Sequence, residues 1–292
     1  SGQGLIAVEA LNDRLLAAVL LGAAATVLLA TLLGMPTSTT HALVGTLVGA
    51  GWLASASGIN LGVLATTFAT PLLLSPVLAI GLTVLVYPLL SRWRRRLGVD
   101  SESCVCLDTT TACPIPAGTA LAMSPAATAT PSLTFAPQAV CTQRYAGTVV
   151  GFSAQRLVAV GHSLCGLSVC FARAVNDTPK IAAIMLSAQA TPLARHPGMV
   201  LALVAVAMVA GGLVQSRKVA ETMSLRITGL NPGQGLTANL VTAVLVLGAS
   251  RLGVPVSTTH VSCGAIFGIG ACNGQRDLQT IGQIALTWVL TL

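Results

Sequence analysis

Residues 33–51 read LGMPTSTTHALVGTLVGAG, and residues 252–270 read LGVPVSTTHVSCGAIFGIG. Laid one on the other without a gap, ten of the nineteen positions are identical at a constant offset of 219 residues. The shared residues are a leucine, a proline, the Ser-Thr-Thr-His run and four glycines. Apolar residues coincide by chance in a chain rich in them; polar and helix-breaking residues in matching order do not. The chain therefore carries an internal duplication. In each copy a proline, Pro36 or Pro255, stops an apolar helix just ahead of a run of hydroxyls.

Outward from these motifs the chain is apolar. Residues 15–34 and 197–214 hold no charged side chain, and each approaches the ~20 residues that cross a bilayer core. Hydrophobic residues make up 54% of 292 positions and charged residues 8%, with a mean hydropathy of +0.83. A soluble domain carries about 25% charge, so water-soluble classes are excluded. Lipid leaves no backbone group unpaired, so the expected fold is all-α: helices throughout and no sheet, a polytopic membrane protein with two inverted repeats, broken helices and re-entrant STTH segments. Residues 1–96 form the expected first repeat, 97–146 a polar Thr/Pro/Ala-rich loop, and 147–292 the second repeat. Residues 42–54 are too short for a full span and read as a half-helix. Residues 61–90 are broken by Pro71 and Pro76, and 215–235 read as a polar connection after helix 197–214.

The net charge of +7 clusters at Arg92, Arg94, Arg95 and Arg96, and at Arg217, Lys218 and Arg226, each group just past an apolar run. Positive-inside anchoring at a membrane surface explains that placing; nucleic acid does not. Cys165, Cys170, Cys263 and Cys272 sit in apolar context and read as small hydrophobes, while Cys104, Cys106, Cys113 and Cys141 share the polar loop without a common zinc spacing.

The chemistry concentrates in two places. After each proline, Ser38, Thr39 and Thr40, or Ser257, Thr258 and Thr259, set hydroxyls beside the free amides of a helix start, a ready site for an oxyanion. Simple capping would explain one such copy; two copies in register favour a binding role. His41 and His260 close the motifs. Holding each hairpin by hydrogen bonds is the preferred role for them, with a metal site or a proton relay as the alternative. The other polar centre is Asn176, Asp177, Thr178, Pro179 and Lys180. Asp177 is the only carboxylate between Asp108 and Glu221. A charge at bilayer depth costs at least ~2.5–3.5 kcal/mol, so it must be paired or bind something. Arg173 and Lys180, one turn to either side, can pair with it and leave positive charge for an anion.

ARAVNDTPKIAA at 172–183, RKVAETMSLRITGLNPGQGL at 217–236 and the two STTH motifs resemble the inorganic phosphate transporter family, in its bacterial phosphate or sulfate permease-like form. The resemblance spans nearly the whole chain apart from the loop. It implies a multi-pass protein of the cell membrane, bacterial inner-membrane type, that carries inorganic phosphate by symport with Na⁺ or H⁺. Phosphate would bind where the repeats meet, on Asn176, Asp177, Thr178 and the Ser-Thr-Thr segments, with Arg173, Lys180, His41, His260 and Asn239 in support. A Na⁺ site near Asp177 and a homodimer go with this reading; no other cofactor and no nucleic acid does. Two features depart from the family pattern: ARAVNDTPK stands where GANDVANA is usual, and Asn239 where many members carry a carboxylate. Sulfate permeases share the frame, so sulfate is the alternative substrate. Asn176 precedes Ser257 by 81 residues, and the same spacing from Ser38 falls at about −43; residues 61–90 should recur near 280–309, past Leu292, so both ends are expected to be cut. A membrane hydrolase using Ser, His and Asp and a non-functional fragment are the remaining rivals; symmetric duplication of a whole motif argues for binding over catalysis.

The cations at 92–96, Arg144 and Arg156 flank the 97–146 loop and place it in the cytoplasm. Cys104 and Cys141 should then resist an impermeant thiol reagent in intact cells and react after permeabilisation. Labelling of intact cells would put the loop outside.

Overall fold

The computed structural model describes residues 5–6, 12–54, 59–97, 101–102, 144–145, 148–149, 152–187 and 195–291. The cysteines at 104, 106, 113 and 141 and most of the inter-repeat loop lie outside them. The first half holds α1 (Asp13–Leu32), α2 (Thr39–Ala54), α3 (Leu61–Val63) and α4 (Thr70–Arg96). The second holds α5 (Ala154–Ser187), α6 (Pro197–Glu221), α7 (Pro232–Arg251), α8 (Thr258–Asn273) and α9 (Leu278–Leu290).

The duplication reaches the helix boundaries. Adding the 219-residue offset to α1 and α2 gives the bounds of α7 and α8, residue for residue. Asn12 and Asn231 cap the first pair, each accepting the amide three residues on at 2.9 Å. Gly34 and Gly253 end α1 and α7 in the left-handed region, at φ 71 and 67. The residue after each donates back to the carbonyl of Ala30 or Ala249, closing the same C-terminal turn in both. A side chain at either glycine would strain that turn.

Each α1–α2 or α7–α8 pair is a helical hairpin, and α4 and α5 are the long members that pack it. The largest contacts are α4 on α8, α5 on α7 and α1 on α2. Small residues set the closeness: Gly264 and Gly268 of α8 lie against Pro76, Ile80 and Thr83 of α4, and Gly235 of α7 against the ring of His162. A buried cluster of Ala79, Ala172, Val246 and Val261 ties α4, α5, α7 and α8 together. Outside, Leu28, Leu73, Leu85, Leu167, Phe171, Val206 and Leu286 are exposed, an apolar exterior suited to lipid. Among the described residues, five helices are long and apolar enough to cross a membrane.

Three expectations about elements change. Residues 61–90 are not broken at Pro71 and Pro76: α3 runs through a π-helical segment, Leu64–Ala69, into α4. Pro71 follows directly on the π-helical segment, at the start of α4, and Pro76 sits inside the helix. The connection after 214 is largely helical, because α6 continues to Glu221 and a π-helical segment reaches Arg226. An Arg217–Glu221 pair at 2.8 Å, one turn apart, supports that exposed extension. Short pairing does occur: β1 (Ser101–Glu102) with β2 (Arg144–Tyr145), and β3 (Thr148–Val149) with β4 (Phe152–Ser153), both antiparallel. The first two-residue ladder joins residues of the polar loop, and the second lies just ahead of α5.

A Cβ on Gly264 would stand 2.6 Å from the Pro76 carbonyl oxygen and 3.0 Å from its Cα, both backbone atoms. Gly264→Ala should therefore destabilise the protein by about 1–3 kcal/mol in thermal unfolding in detergent. Gly248→Ala, with nothing within 4 Å, should be neutral or better.

Candidate anion site

Each STTH segment begins a helix in the same way. Ser38 and Ser257 are buried and accept the backbone amides of His41 and His260 at 3.2 and 3.1 Å. That leaves the neighbouring threonines at the open helix starts. Thr40, Thr258 and Thr259 are buried, while Thr39 is half-buried.

The two starts meet. Thr259 Oγ1 donates to the Thr37 carbonyl at 3.2 Å, and the rings of His41 and His260 lie edge to face with centroids 4.2 Å apart. Each histidine also reaches a carbonyl in the opposite half: His41 Nδ1 to Trp288 at 3.2 Å, and His260 Nδ1 to Leu72 at 3.3 Å. The second has a covalent cause. Pro76 lacks an N–H, so the Leu72 carbonyl four residues back has no backbone amide and is shared between the Ser75 hydroxyl, at 3.1 Å, and His260. Both Nδ1 atoms therefore donate, and both buried Nε2 atoms are without a bonded partner.

Asn176 and Asp177, on α5, come to the same point. Asn176 Nδ2 donates to the Val256 carbonyl at 3.0 Å and to Asp177 Oδ1 at 2.7 Å. Lys180 Nζ donates to Thr40 Oγ1 at 2.9 Å and to the Val256 carbonyl at 3.0 Å, bridging the two halves. Asp177 is 2% exposed and lies between two cations: Arg173 Nε at 3.6 Å from Oδ2 and Lys180 Nζ at 3.8 Å from Oδ1. Arg173, half exposed, also reaches Thr259 Oγ1 at 3.4 Å. One carboxylate, two cations and two helix starts leave the site positive.

The sequence of this chain matches the phosphate transporter family over residues 2–292. The chain belongs to that family. A phosphate permease-named protein of Thermococcus kodakarensis is 26% identical, over 94% of this chain and 74% of its own length. Inorganic phosphate transporter 2-1 of Arabidopsis thaliana is 36% identical over 29% of this chain and 15% of that protein. A Mycobacterium bovis protein, also phosphate permease-named, is 39% identical over 30% of this chain, which spans only 16% of its length. The solved structure of "the sodium-dependent phosphate transporter" shares the fold, with a TM-score of 0.70 at 20% identity over 99% of this chain and 79% of that one. The phosphate transporter family comprises carriers and not enzymes.

Two of the residues that family resemblance brought forward sit elsewhere. The Thr178 hydroxyl turns to Met208 Sδ on α6 at 3.4 Å. Asn239 faces α5 beside Gly166, seven positions and ~10 Å along the helix from Arg173. Other groups at the site escaped sequence reading. The Val256 and Thr37 carbonyls lie in the proline-broken stretches, where free carbonyls are to be expected, so a signal existed. Trp288 gave none: its Nε1 donates to the Pro36 carbonyl at 3.1 Å and its ring stacks on His260 at 3.9 Å.

Because Lys180 and Thr40 join the halves, Lys180→Met and Thr40→Val should be non-additive in unfolding. A double-mutant cycle in detergent should give a coupling of about 1–2 kcal/mol; additive losses would mean that the bond does not link the halves.

Proposed function

We propose that this chain carries inorganic phosphate through a bacterial-type inner membrane, in symport with a cation, and that the substrate binds between the two STTH helix starts and Asp177. The donors there, Arg173, Lys180, the threonine hydroxyls and the first amides of α2 and α8, form the set that a tetrahedral oxyanion requires. Both hairpins contribute, as expected for inverted repeats that close around a shared site.

The observation that favours phosphate over sulfate is Asp177 Oδ2. It is buried and no donor hydrogen-bonds it, with Arg173 Nε beyond bonding distance at 3.6 Å. Phosphate near neutral pH keeps a P–OH that can donate to such an acceptor; sulfate has no proton to give. Leaving a buried acceptor unmet costs about 1–3 kcal/mol, so an anion that brings its own donor is preferred by roughly ten- to a hundred-fold.

Uptake of labelled phosphate and labelled sulfate into proteoliposomes tests this reading. Phosphate should be taken up in preference, and Asp177→Asn should abolish uptake while the protein still inserts. Unchanged uptake by that variant, or sulfate carried in preference, would sink it. Thr258→Ala should weaken phosphate binding by more than it lowers the unfolding temperature, since a bond to a charged ligand is worth about 1.5–3 kcal/mol.

A further inference from the structure

The oxygens around Asp177 have the composition of an alkali-cation site, which is what a sodium-coupled carrier would place there. Asp177 Oδ1, Thr40 Oγ1 and the Val256 carbonyl converge as a carboxylate, a hydroxyl and a main-chain oxygen, the ligand types that hard cations take. The residues present do not fit that ion. The Lys180 ammonium already stands among the three, at 3.8, 2.9 and 3.0 Å. A carbonyl has two lone pairs, and Val256 spends one on Lys180 and the other on Asn176 Nδ2 at 3.0 Å. Asp177 Oδ1 accepts Asn176 at 2.7 Å, and the other carboxylate oxygen faces Arg173. A sodium ion would have to displace a covalently tethered cation from its own ligands and sit within contact distance of a second one.

We infer that Lys180 is a built-in replacement for sodium: its ammonium fills the cation position between α5 and the tip of the first hairpin, so phosphate binding at this site does not require Na⁺. The inference rests on the phosphate reading above. The site keeps a surplus positive charge without any added ion, from Arg173 and Lys180 against Asp177. Its tether also explains why a lysine is tolerated at this depth. The long side chain carries its charge to Thr40, across the boundary between the halves, in place of the contact that a mobile ion would make.

Two measurements on the chain in lipid nanodiscs test it. The first needs no phosphate: thermal unfolding in NaCl against choline chloride at equal ionic strength. A ligand that binds the folded state raises the unfolding temperature. The wild-type chain should show no difference between the salts, and Lys180→Met, which empties the position and keeps its bulk, should gain a Na⁺-dependent rise. The second is phosphate binding in the same two salts. Wild-type affinity should agree within about two-fold, whereas Lys180→Met should bind phosphate about ten-fold more tightly in Na⁺ than in choline. A wild-type protein stabilised by Na⁺, or one whose phosphate affinity depends on it, overturns the inference, and neither result depends on the variant folding. A folded Lys180→Met that ignores Na⁺ overturns it as well, because the oxygens then do not form a cation site. Wild-type protein that binds phosphate in neither salt defeats the phosphate reading instead, and the unfolding comparison still decides the fate of the sodium position.

Discussion

Hydrocarbon offers a helix break neither donor nor acceptor, so each carbonyl freed at a break must find its partner within the protein. Four such carbonyls, of Pro36, Thr37, Leu72 and Val256, account for how the halves dock. Trp288 and Thr259 of the second half supply donors to Pro36 and Thr37 of the first. His260 adds one to Leu72, where Pro76 removes the backbone amide and the Ser75 hydroxyl is the local donor. Asn176 and Lys180 share Val256, and Lys180 carries on to Thr40. The first half draws these donors from the second, and an orphaned polar group in the interior costs about 1–3 kcal/mol. The meeting of the two STTH segments is thus what the broken backbone demands, and the polar site is its consequence.

Duplication supplied two copies of one solution, and the copies have since diverged where the charge differs. Helix C-termini favour a nearby cation. The last residue of α7 is Arg251, which provides one; the matching residue of α1 is Leu32, which cannot. There Lys218 of α6 reaches across, its Nζ donating to the Leu32 carbonyl at 3.3 Å. The backbone turn is kept in both hairpins while the side chain that stabilises it comes from different elements.

Much of this was legible in the residues, for identifiable reasons. Pro and Ser determine local backbone geometry, so the helix breaks at the prolines and the serine caps follow from their order alone, whereas the left-handed turns at Gly34 and Gly253 were not read from the sequence. Asp177 was legible because a lone carboxylate in an apolar stretch has few fates. What could not be read was which distant group answers each local need. Pro76 implies a freed carbonyl at Leu72, but nothing in the sequence pairs it with His260, 188 residues away. Trp288 looks like any aromatic in an apolar helix. Thr178 belongs to the motif by adjacency, yet one step along a helix turns a side chain by about 100°, and that rotation takes its hydroxyl to Met208. The continuity of 61–96 was missed because a proline was read as a stop, whereas a π-helical segment before Pro71 lets the chain pass it.

The charge of the site follows from the same docking. Bringing the starts of α2 and α8 together places two positive dipole ends side by side, and Arg173 and Lys180 add two full charges. Unbalanced, such a site would repel its own halves when empty and, on the phosphate reading proposed above, hold its anion too firmly to let it go. Asp177 resolves both conditions. Buried between the two cations, it lowers the repulsion of the empty state and leaves a surplus of one charge, enough to attract a dianion without fully neutralising it. On the proposed phosphate reading, that balance accounts for a carboxylate at the centre of the site.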